Sequence, residues 1–110
     1  MEHIIIKNAQ DIKNILEPIP AEQFTTMVYE DQKGRCCALG HIHKALSGDA
    51  IGDRNGFGAR KLSTEFLSKT YRLSESIADV NNEGGINGYN ETDPKSRVMH
   101  LLDDMIKAGY

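Results

Sequence analysis

Apolar residues recur along this chain chiefly at the three- and four-residue intervals of a buried helix face. The longest series is Val98, Leu101, Leu102, Met105 and Ile106, which predicts a terminal helix. Asp93-Pro94 starts it, with a carboxylate to cap the first amides and a proline at the first helical position. Ile12, Ile15 and Leu16 follow Asn8 at the same spacing, with Asp11 in the capping-box position. Pro18 and Pro20 close that helix. A third helix, over 38–47, buries Leu39, Ile42, Ala45 and Leu46 and ends at Gly48 as its C′ residue. His41 and Lys44 fall on its other face, and His43 one position further round. Ser63 caps a helix that buries Phe66 and Leu67, with Tyr71 a turn later and Leu73 near its end. Ser74 caps a short helix that buries Ile77 and Val80, and Asn81-Asn82 end it.

One stretch departs from the helical period. Thr25-Thr26-Met27-Val28-Tyr29 is β-branched and aromatic, 31–34 is a turn signal, and Arg35-Cys36-Cys37 can pair back. This predicts a small hairpin feeding the 38–47 helix. Two glycine-rich loops, 48–62 and 83–90, complete the chain. The expected fold is mainly α, with about five short helices around the 38–47 helix and one minor hairpin. The 110 residues make one domain, 1–110.

Composition narrows the class. Apolar residues are 39% and charged residues 26%, ordinary for a globular domain, and Trp is absent. A net charge of -3 and the absence of a polybasic run argue against nucleic acid, although Arg54, Arg60 and Lys61 are the residues such a partner would use. No apolar run approaches a membrane span, and Ile4-Ile5-Ile6 is too short for a signal-peptide core. Two adjacent cysteines give no disulfide framework, so the chain is read as cytoplasmic.

Reactive side chains concentrate between Gly34 and Gly48. Cys37 falls at a helix N-terminus, where free amides lower a thiol pKa. With His41, His43 or His100 as base and Asn81 to orient it, Cys37 would serve as the nucleophile of a hydrolase or transferase. The competing reading makes Cys37 a small buried hydrophobe. No metal or cofactor is expected. Cys36 and Cys37 lack zinc spacing, and His41 and His43 point about 200° apart on a helix. Asp53, Arg54, Asn55, Phe57 and Arg60 in the first loop, with Tyr89 in the second, are the candidate binding residues. The first loop matches neither a calcium loop nor a phosphate cradle. Asp103-Asp104 read as a solvated helix face.

The order Cys37-Ala38-Leu39-Gly40, then Ile77-Ala78-x-Val80-Asn81-Asn82, then Thr92 before Val98-x-x-Leu101-Leu102 resembles a family of small bacterial and phage proteins. That family is a domain of unknown function whose members read Cys-Ala-x-Gly, Ile-x-x-Trp-Asn-Asp and Thr before a final amphipathic helix. Here Val80 and Asn82 stand in place of the usual Trp and Asp. The resemblance implies a small, mainly helical domain and no defined activity. It also implies that the Asn81 amide ties the second loop to the last helix near Thr92. The expected function is a non-enzymatic interaction protein, an accessory or inhibitor of a host protein, with a protein partner.

Overall fold

A computed structural model describes residues 5–50, 62–70 and 72–110. They are mainly helical, as the spacing predicts: α1 (Ala9–Leu16), α2 (Ala38–Ser47), α3 (Thr64–Lys69), α4 (Leu73–Asn82) and α5 (Pro94–Lys107), with 3-10 turns at Ala21–Gln23 and Ile86–Gly88. Both α2 and α5 pack against α1 and α4, and α5 does so more extensively. The core thus lies among α1, α2, α4 and α5. Ile6, Ile12, Leu16, Ile42, Phe66, Ile77, Val98 and Leu102 fill it.

The helix ends follow local chemistry. Asn8 Oδ1 accepts the Asp11 amide at 2.9 Å, the forward half of a capping box, while Asp11 Oδ2 reaches past the cap to accept the Lys7 amide at 2.8 Å. Asp93 caps α5 by accepting the Ser96 amide at 2.9 Å, and these Ser96 bonds hold its carboxyl below the usual range. Gly48 closes α2 at φ 82, a left-handed conformation that costs glycine little.

Three local expectations are corrected. Ser74 does not cap α4, which begins at Leu73 behind Arg72 in a left-handed conformation, φ 65. Ala45 and Leu67 are exposed, while His43 is buried. The His43 ring stacks on Tyr29 at 5.6 Å and its Nδ1 donates to the Ala50 carbonyl at 3.3 Å, bonds that compensate its polarity.

The hairpin survives only as isolated bridges, Phe24 to Cys36 and Glu30 to Cys36. Between them the chain bulges outward, with Met27 at φ 71. Among the described residues no strand is available to pair with this stretch, and side chains take its backbone groups. Asn81 Nδ2 donates to the Thr25 carbonyl at 3.0 Å, and the Met27 amide donates to Asn82 Oδ1 at 2.8 Å. Helix α2 begins at Ala38, so no strand continues past 35–37 to face Thr25 and Met27, and the two asparagines at the end of α4 satisfy those backbone groups in its place.

Candidate functional site

Asn81 is fully buried and sits where three segments meet. Its Oδ1 accepts the amide of Ala38, the first residue of α2, at 3.0 Å. Its Nδ2 is shared between the Thr25 carbonyl and Asn82 Oδ1, each at 3.0 Å. Its amide thereby joins the 24–30 segment and the α2 N-terminus to the end of α4. The expected tie to the last helix is made instead by Arg97, which is 5% exposed. Its Nε donates to the Val80 carbonyl at 2.8 Å and its Nη2 to that of Asn81 at 2.7 Å. Nη1 reaches the carbonyls of Glu91 and Thr92 at 2.9 and 3.1 Å. The guanidinium so caps the C-terminus of α4 and fastens the loop before α5.

The Cys37, His41 and Asn81 set shares the start of α2 but not the geometry of a triad. Cys37 is 8% exposed, and its Sγ accepts the Gly40 amide at 3.4 Å as the N-cap of α2. Burial pushes its thiol above the ordinary range, and the amides of Gly40 and Leu39 only partly offset this. His41 Nε2 donates to the Gln23 carbonyl at 2.9 Å, and its ring lies 4.6 Å from that of Phe24. Burial also lowers the pKa of His41. With Asn81 holding Ala38, its amide orients backbone and not an imidazole. His100 lies at another place, its Nδ1 on the Glu91 carboxylate at 2.9 Å and its Nε2 3.6 Å from Asp104.

These positions predict slow thiol chemistry. Iodoacetamide at neutral pH should label Cys37 in the folded protein about tenfold or more slowly than in the denatured chain, with labelling rising only at alkaline pH. Peptide mass spectrometry checks this. Rapid labelling at neutral pH would restore the nucleophile.

Of the candidate binding residues, Asp53, Arg54, Asn55, Phe57 and Arg60, together with Lys61, lie outside the described residues. Tyr89 is not an exposed contact. It is 9% exposed, its hydroxyl donates to Asp104 Oδ2 at 3.0 Å, and its ring meets His100 edge-on at 4.7 Å. Among the described residues, no group of three or more His, Cys, Asp or Glu could hold a metal ion, and no helix is long and apolar enough to cross a membrane.

A surface feature the sequence does not advertise lies beside Asn81. Met27 and Val28 stand 76% and 48% exposed at the crest of the bulge. Below them is a hollow of about 220 Å³ lined by Met27, Val28, Tyr29, Cys37, Leu39, Ala78 and Asn82. Small-molecule sites usually occupy about 300–1,000 Å³, so this hollow suits an apolar side chain better than a free metabolite. A second hollow, about 310 Å³, lies between Lys7, Glu65, Lys69 and Tyr110 and mixes both charge signs. The one sequence signal for the bulge is the Asn81-Asn82 pair, whose amides can bond backbone outside their own helix. No family model, curated protein or solved structure matches the chain.

Proposed function

We propose that this chain is a small non-enzymatic interaction protein whose contact surface is the Met27–Val28 crest and the hollow beneath it. The observation that carries the reading is Met27 itself. It holds a left-handed backbone, unfavourable by roughly 1–2 kcal/mol for a residue with a Cβ, while its side chain lies in solvent. Folding alone gains little from a side chain so exposed, and strained positions persist where the surroundings over-determine them. Here the surroundings are Asn81 and Asn82, which hold the bulge from a buried base.

The committed geometry of Cys37, His41 and Asn81 supports binding over thiol catalysis. The two free cysteines accord with action in the cytoplasm, where thiols stay reduced. The resemblance to small bacterial and phage proteins extends the reading to an accessory or inhibitor of a host protein.

A photo-crosslinking amino acid placed at Met27 tests this in extracts of cells that produce the protein. It should give a discrete protein adduct that the same group at Gln10, on the exposed side of α1, does not give. Val28→Asp in the Met27-labelled protein should abolish the adduct. Identical adduct patterns from both positions would defeat the reading.

A further inference from the structure

The walls of the hollow differ from the rest of the surface in their charge. The bulge over 24–30 contains Glu30 and no Lys or Arg, and α4 contains Glu75 and Asp79 and likewise no Lys or Arg. Ala78 and Asn82, four residues apart, face the hollow. Helical geometry places Glu75 and Asp79 on the strip of α4 just outside them, and Glu83 follows at the helix end. All three are exposed.

Their charges are unequally neutralised. Glu30 is paired with Lys44 at 2.7 Å, and Glu75 approaches Arg72 at 3.9 Å in an exposed pair. Among the described residues, neither Asp79 nor Glu83 has an ion-pair partner. An apolar hollow rimmed on one side by unpaired carboxylates is complementary to an apolar side chain with cations beside it.

Resting on the interaction reading above, we infer that the occupant of this surface is a basic amphipathic protein segment. An apolar residue of that segment enters between Met27 and Ala78, and Lys or Arg flanking it meets Asp79 and Glu83. Apolar burial against Met27, Val28 and Leu39 provides the attraction. Methionine's unbranched, polarisable side chain adapts to the entering group. The carboxylates select sign, speed encounter and add about tenfold in affinity, the smaller share of the binding.

The full chain can be tested with three synthetic helical peptides that share leucines at i, i+3, i+4 and i+7 and carry Lys, Gln or Glu at every other position. The readouts are amide shifts in the labelled protein and affinities from peptide fluorescence anisotropy. The Lys peptide should shift Met27, Val28, Ala78 and Asn82. It should bind about tenfold more tightly than the Gln peptide, as two exposed ion pairs would give, and lose that margin in high salt. The double variant Asp79→Asn, Glu83→Gln should erase the preference and leave Gln-peptide binding unchanged.

Equal binding of the Lys and Gln peptides at the hollow would overturn the basic-partner inference and leave the interaction reading intact. Lys-peptide shifts confined to other faces would overturn it too, as general attraction to an acidic protein. If no peptide perturbs the hollow and the Met27 crosslink is also absent, both readings fall.

Discussion

Replacing Arg97 with Ala should destabilise the protein by about 4 kcal/mol, a large fraction of the 5–15 kcal/mol typical of a domain. The guanidinium donates to four backbone carbonyls, those of Val80, Asn81, Glu91 and Thr92. Val80 and Asn81 lie in the last turn of α4, whose carbonyls have no intrahelical donor. Stripping a donor from a buried acceptor costs about 1–3 kcal/mol, and four such losses overlap rather than add. Arg97→Met keeps much of the apolar stem and removes every donor, so it should recover only the packing share, about 1 kcal/mol. Arg97→Lys places one compact ammonium where a planar fork spans two segments, and should fall between them. Urea denaturation of the three variants checks the order. A loss below about 1 kcal/mol for Arg97→Ala would mean that water replaces the guanidinium and that the loop does not depend on it.

How much of this arrangement the chain discloses in advance varies with the range of the interaction. Elements governed by neighbours in sequence are legible. Asn8, Asp93-Pro94 and Gly48 mark helix ends because caps act within a few residues, and α2 and α5 occupy the spans their periodicity predicts. Elements decided by distant partners are not. Five residues of high β-propensity at 25–29 form no ladder, because the chain that would face them is already helical from Ala38, and Asn81 and Asn82, more than fifty positions away, hold the carbonyl of Thr25 and the amide of Met27 instead. His43 goes inside and Ala45 outside because a ring that can stack on Tyr29 and bond Ala50 fills the site better than a methyl group.

The candidate site divides in the same way. Cys37 at the start of α2 is legible from the glycine-bounded helix, yet its chemistry depends on burial, which the sequence does not state. Asn81 stands out as a paired asparagine, but which backbone it binds is a tertiary fact. Arg97 left one trace. It falls four residues before Leu101, in phase with the apolar stripe of α5, where a solvated arginine has no reason to be. A charged residue in phase with a buried stripe signals either a snorkelling stem or a buried acceptor set, and here the second applies.

Gly40→Ala should reverse the usual sign of its substitution. In an exposed helix interior, alanine is more favourable than glycine by about 1 kcal/mol, because it restricts the unfolded backbone. At Gly40 a Cβ would overlap the carbonyl oxygen of Tyr29 and lie 3.0 Å from the Cys36 Cβ. The first obstacle is backbone, so rotation of a side chain gives no relief. The 24–30 segment must lift from α2, or α2 must shift against the core. Either movement costs more than the propensity gain, giving a net loss of about 2–3 kcal/mol. Lifting the segment also pulls Thr25 and Met27 from the asparagines that hold them. Thermal denaturation gives the sign, and amide exchange at Met27 and Thr25 gives the mechanism. Met27 should lose protection well before the amides of α5 if the bulge is what yields. A variant as stable as the parent, with the Met27 amide still protected, would show that the bulge adapts without loosening. In that case Tyr29 does not set the height at which Met27 is presented.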